Sequence, residues 1–212
     1  MSLQNIKLSI KIPLIMLSLA AINALTVSTL AVNQAEKSTI QLTMQKMHVM
    51  RENVGQMISS YFASIEEDLV LNAENRTTRE ALQAFQVGWD SLESADKTSY
   101  LQKKYIEENP NELGKKHLLD AASDETSYSL AHQTYHPGFR SILEHHEYYD
   151  IFLVNKAGDV VYTVYKELDF ATNLHSGKWK DTGLARLFRA INEKPVLGKV
   201  VFADFERYAP SN

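Results

Sequence analysis

Three patterns of apolar and polar positions follow one another along the chain. From Ile12 to Ala35 no residue is charged. These 24 residues would give roughly 36 Å of helix, enough for a hydrocarbon layer of about 30 Å. From Glu36 the solid run gives way to steps of four and three: Ile40, Met44, Met47, Arg51, Val54, Ile58, Tyr61, Ile65 and Asp68/Leu69. That spacing predicts one long helix over residues 36–73 with a continuous stripe, interrupted by Arg51 and Asp68. The stripe fits a dimer stalk or a helix packed on its own domain. From Tyr148 the chain writes a β-hairpin. Ile151–Val154 and Val160–Tyr165 are strand-rich runs, and NKAGD between them offers Gly158 for a positive φ and Asn155 for a side-chain bond to the backbone.

The remaining elements are shorter. Thr78 is placed to cap a second helix carrying Ala81, Leu82, Phe85 and Val87. A third helix, LQKKYIEENP, stops near Pro110. Residues 123–147 read as helical or irregular. After the hairpin, Asn173–Gly177 is turn-like, Thr182–Ile191 is an amphipathic helix, and Lys199–Phe205 is a candidate third strand. The fold class expected is α+β: transmembrane helix, long helix, then an antiparallel sheet with helical cover. The divisions are 1–11, 12–35, 36–73, 74–147 and 148–212. Two or three strands make a marginal sheet, so the sheet is expected to be incomplete and the chain to be the first part of a longer protein. A complete small anchored protein is the other reading.

Charge sharpens the membrane assignment. Lys7 and Lys11 are the only charges before Glu36, so the remainder carries a net −6 against −4 for the whole chain. A basic flank ahead of the apolar run favours a cytoplasmic N-terminus, with residues 36–212 on the far side. A cleaved signal peptide is the rival, but its apolar region would be about 7–15 residues, and LAVNQA is a poor cleavage site. The acidic remainder disfavours nucleic acid as a partner. With no cysteine, disulfides and thiolate zinc sites are excluded.

Candidate chemistry is sparse. His132 and His136 would share a helix face, and His145 and His146 sit among Glu144, Glu147 and Asp150. Adjacent histidines diverge on a helix and there is no HExxH, so no metal site is assigned. Asp159, Glu167 and Asp169 lie in turn or loop positions. GxSxG, P-loop and GxGxxG motifs are lacking. No enzyme activity and no cofactor are expected. The residues that suit a pocket are aromatic and polar: Tyr135, His136, Arg140, Tyr149, Asp150, Tyr162, Tyr165, Trp179, Arg207 and Tyr208. Such a set fits a small polar or anionic ligand, with arginine offering a fork to a carboxylate. The plainer account is that the tyrosines pack the sheet.

The run YHPGFRSILEHHEYYDIFLVNKAGDVVYTVYKELDFATNL, followed by GLARLFRAINEK and VVFADFERYAPSN, resembles the N-terminal part of bacterial methyl-accepting chemotaxis receptors with a PAS-like Cache sensor domain. Tyr149–Asp150, Gly158, Tyr162, Lys166–Glu167 and Asp169–Phe170 carry most of the likeness. The resemblance implies a homodimeric receptor in the bacterial inner membrane. Its extracytoplasmic domain would bind a small molecule, and it would reach a cytoplasmic kinase only through a returning membrane helix, HAMP linker and signalling region that this sequence does not contain. The alternative is a membrane-anchored domain that binds another protein and has no small-molecule ligand.

The cysteine-free sequence makes the topology testable. A single cysteine at Ser123 is expected to react with a membrane-impermeant maleimide on intact bacterial cells, and one at Ser2 only after permeabilisation. The reverse pattern would refute the orientation.

Overall fold

The computed structural model describes residues 7–211. Helix α1 is continuous from Leu8 to Glu74. The chain divides after Ser64 into two units. In the first unit α1 buries no side chain, and it contains the one helix among the described residues that is long and apolar enough to cross a membrane. Three hydroxyls of the apolar run are satisfied locally: Ser18 donates to Ile15 O, Thr26 to Asn23 O and Thr29 to Thr26 O. This removes unpaired donors from an apolar stretch. The stripe residues Ile40, Met44, Met47, Val54, Ile58 and Tyr61 are all exposed.

The second unit begins at Ile65. Helix α2 (Arg76–Ser91) starts one turn earlier than Thr78 would dictate, because the Asn75 side chain accepts the Thr77 N–H at 2.8 Å and serves as the cap. Ala81, Phe85, Gly88 and Trp89 form its buried stripe. Asp96 caps α3 (Lys97–Gln102), which loosens into a π turn over Lys103–Glu107 before Pro110. Helix α4 (Ser127–His146) is capped by Thr126 and ends on Glu147 in the left-handed region. Helix α5 (Gly183–Glu193) is capped by Thr182.

Strands β1 (Phe152–Val154) and β2 (Val160–Thr163) form a two-stranded antiparallel sheet. Phe152 faces Thr163 and Leu153 faces Tyr162, but Val154 faces Val160. Val161 is therefore a bulge. Ordinary alternation would put residues 160 and 162 on one face. Instead Val160 joins Phe152, Val154, Leu174 and Ala185 in a small cluster with α5, while Tyr162 joins Leu153, Phe85, Tyr128 and Phe139 in the main core. Gly158, at φ 89, makes the turn.

The expected third strand does not form. Lys199–Phe205 is not part of a strand, and Phe205 is 95% exposed. The outer edge of β2 is already occupied: Val160 N donates to Thr172 O at 2.9 Å, Ala171 N to Val160 O at 3.1 Å, and Asp159 bridges Asn173. The observed class is α+β, mainly helical, with a smaller sheet than the sequence pattern suggests.

Gly88 of α2 lies directly against the backbone of α4. A Cβ there would lie 2.5 Å from Tyr128 Cα and 2.8 Å from Tyr128 N, both backbone atoms. Gly88→Ala is expected to destabilise by about 1–3 kcal/mol despite alanine's better helix propensity. Gly138→Ala in α4, where nothing lies within 4 Å, is expected to stabilise by about 0.5–1 kcal/mol. Urea midpoints followed by circular dichroism would measure both, and equal shifts would contradict the packing argument.

Candidate functional site

The polar groups of the second unit converge where the chain leaves β2. Thr163 Oγ1 accepts the Lys166 N–H at 2.9 Å, closing a tight bend. Lys166 itself is left-handed, at φ 59. That conformation is costly for a residue with a Cβ and is maintained only by its surroundings. The bend turns the Lys166 side chain inward, leaving the residue 2% exposed. Its Nζ donates to Thr163 O and, at 3.5 Å, to Val164 O. Three rings surround it: Tyr162 at 4.5 Å, Phe170 at 5.2 Å and Tyr105 at 5.9 Å from the centroids. Such contacts compensate part of the lost hydration of an ammonium.

Asp150 braces the same bend from β1's side. Its Oδ1 accepts from the N–H groups of Ile151 (2.7 Å), Val164 (2.9 Å) and Tyr165 (3.2 Å). Its Oδ2 is enclosed without a partner, although the residue as a whole is half-buried. Burial pushes Asp150 up to about 7 and Lys166 down to about 7. Asp169 accepts the Tyr208 hydroxyl on Oδ2, has no partner on Oδ1, and is pushed up to about 6 by burial.

Helix α4 supplies a second polar row. His132, His136 and Arg140 follow each other at intervals of four and share one helix face. His132 Nδ1 donates to Asp120 O at 2.6 Å, and His136 Nε2 donates to His117 O at 2.6 Å. Carbonyls only accept, so these bonds fix both tautomers. His136 Nδ1 must then accept the Tyr162 hydroxyl, 2.7 Å away. Arg140 donates to His117 O at 2.9 Å and to Asp120 Oδ1 at 2.7 Å. The two imidazoles stack at 4.3 Å. Burial, reinforced by Lys166, pushes His136 down to about 3 and His132 well below its ordinary value. Both are neutral in the folded chain. His132 Nε2 is left as a buried acceptor without a donor.

The residues singled out from sequence fall into separate groups. His136 and Tyr162 meet in the core, with Arg140 at its rim. Tyr149, Asp150, Tyr165 and Tyr208 gather round the 165–169 bend: Tyr149 donates to Glu167 at 2.8 Å and stacks on Tyr165 at 6.4 Å. Tyr135 lies apart in a surface depression beside Ala84 and Val87. Trp179 donates to Leu168 O at 2.9 Å beneath Lys178, and Arg207 is exposed. The ten do not line one concavity. Sequence reasoning omitted Lys166 and Asp169 as site residues. A charged residue inside VVYTVYKELDF was the available signal, but at a strand exit it reads as solvated. His145 and His146 do not join the row: His146 pairs with Asp68 at 3.2 Å and stacks on Tyr148.

Two cavities adjoin these groups. One, of about 450 Å³, runs along β1 and is lined mainly by Ile65, Leu69, Phe139, Ile142 and Tyr148–Leu153. The other, of about 330 Å³, lies at the bend and includes Lys166, Lys116, Tyr165 and Glu167. Among the described residues no group of three or more histidine and acidic side chains is placed to hold a metal. The chain matches no family model, no curated protein and no solved structure.

The buried groups give stability opposite pH dependences. An unfolded histidine titrates near about 6.5. With a folded value of about 3, the contribution of His136 is present above about pH 6.5 and lost as the pH falls toward 3. Asp169 has the reverse sign, because its folded value of about 6 is raised. Its contribution is present below about pH 3.9 and lost as the pH rises through 6. His136→Gln is expected to be less stable than wild type at pH 7, with the gap narrowing by pH 4. Asp169→Asn is expected to be more stable at pH 7 by on the order of 2 kcal/mol, with that gain vanishing near pH 4. Parallel denaturation curves at all pH values would contradict both assignments.

Proposed function

We propose that this chain is the anchor and extracytoplasmic sensor portion of a chemotaxis transducer, held in a bacterial inner membrane by residues 12–35 with its N-terminus in the cytoplasm. Its second unit detects a small molecule. The PAS-like Cache fold is part of this reading and rests on the sequence run from Tyr135 to Leu174, with the two-stranded sheet and its helical cover as the corresponding piece.

The observation that carries the reading is the enclosed polar cluster. Asp150, Asp169 and His132 each keep a buried polar atom without a partner, near the buried Lys166. A fold gains nothing from unpaired buried polar atoms, whereas a recognition site uses them to fix a ligand. Two cavities border the cluster, and Asp150 and Lys166 each line one of them. The helix that contains the apolar run is also the one whose last turns, from Ile65, line the larger cavity. Occupancy that shifts those turns gives binding a route to α1, provided the ligand favours one of two arrangements.

The test is a thermal-shift screen of the full chain in lipid nanodiscs against amino acids, organic acids and amines. A true ligand at one hundred times its Kd is expected to add about 2.7 kcal/mol of stability. If no compound in the panel moves the unfolding temperature, the small-molecule reading falls.

A further inference from the structure

Helix α1 carries a cluster of donors that packing does not use. Met44, Met47, His48 and Met50 fall within seven consecutive residues, MQKMHVM. Methionine ordinarily fills gaps in cores. These three methionines are instead 62–65% exposed, on a helix that buries no side chain in the first unit. Met44 lies nine residues beyond Ala35, about 14 Å further along the helix and clear of the apolar run.

Met44, Met47 and His48 stand at i, i+3 and i+4, the spacing that makes side chains neighbours on one helix face. The imidazole is already oriented. Arg51 Nη2 lies 3.1 Å from His48 Nδ1, and Glu52 Oε1 lies 3.0 Å from Nε2. A guanidinium only donates, so in the neutral ring Nδ1 is the acceptor and Nε2–H donates to Glu52. A carboxylate holding the far N–H is the usual brace of a metal-binding histidine. The Arg51 contact that occupies Nδ1 joins two exposed side chains, so an ion can displace it at small cost.

The donor set selects the ion. Thioethers are soft ligands and favour Cu(I) over hard or borderline divalent ions. Zinc would need further nitrogen, thiolate or carboxylate donors. The sequence has no cysteine, and no group of three histidine and acidic side chains gathers among the described residues. Arg51 shares the same face, which penalises a divalent charge more than a monovalent one. We propose that Met44, Met47 and His48 bind one Cu(I) ion through two thioether sulfurs and His48 Nδ1, with Glu52 holding the ring. This site belongs to the first unit and is independent of any ligand of the second.

Titration of the full chain in nanodiscs tests it, with Ag(I) as a redox-inert probe in chloride-free buffer and Cu(I) as competitor under anaerobic conditions. Methionines labelled with ¹³C at the methyl group report which sulfurs are engaged. One Ag(I) per chain, displaced by Cu(I), is expected to move the Met44 and Met47 methyl signals and leave that of Met57 in place. Met44→Leu and Met47→Leu keep the volume and helix preference of exposed positions, so the fold is retained. Each is expected to weaken binding at least 10-fold, as is His48→Gln, whereas Met57→Leu is expected to leave it unchanged. Arg51→Gln, which frees Nδ1, is expected to tighten it at least threefold. Subtracting the Met44→Leu/Met47→Leu double variant removes binding by lipid and scaffold. Silver binding that survives in the double variant or in His48→Gln, failure of Cu(I) to compete, one ion per two chains, or weaker binding by Arg51→Gln would each overturn the proposal.

Discussion

Two carbonyl oxygens, those of His117 and Asp120, determine how the irregular stretch between the third and fourth helices is held. Their donors come from three successive positions on one face of α4: His132, His136 and Arg140. The imidazoles act as neutral donors with fixed tautomers, and Tyr162 reaches the remaining nitrogen of His136 from β2. A helix, a loop and a strand are thus joined through one stacked pair of rings. His117 O has two donors, His136 and Arg140, and Asp120 O has one, His132, so the imidazole of His132 is the contact with no substitute.

Around the bend that follows β2 the polarity is less completely balanced. Backbone N–H groups saturate one oxygen of Asp150, and carbonyls and ring faces receive Lys166. Oxygens of Asp150 and Asp169 and a nitrogen of His132 remain without donors. The contrast with the α4 row is informative. In the α4 row only Nε2 of His132 is left over, whereas at the bend both Asp150 and Asp169 keep an oxygen without a donor. Both are fitted among Tyr105, Tyr128, Phe85 and Phe170, so the low-dielectric setting that makes the first set strong makes the second set responsive.

Much of the architecture was legible because it is local. The uncharged run from Ile12, the 3–4 spacing through Ile65 and the Asn155–Gly158 turn each specify an element through neighbours a few residues apart. Among the last turns of α1, Ile65, Leu69, Asn72 and Ala73 line the larger cavity of the second unit. Pairing was less visible. Lys199–Phe205 has the composition of a strand, but whether it forms one depends on an available edge, and residues 171–174 already occupy that of β2. Cap choice also misled, since Asn75 lies one turn before the equally plausible Thr78. The site was the hardest part to read. Tyr135, Trp179 and Arg207 have suitable chemistry but point elsewhere, whereas Lys166 is buried only because Thr163 and Asp150 bend the backbone there.

The bulge at Val161 makes the hairpin sensitive to parity. Tyr162 serves the α4 side because one additional residue sits in β2 between it and the turn. Inserting or deleting a single residue there would send its hydroxyl toward α5 and leave His136 without its donor, while a change of two would restore the side it faces. Length variation within β2 between Tyr162 and the turn should therefore be tolerated in even steps and penalised in odd ones.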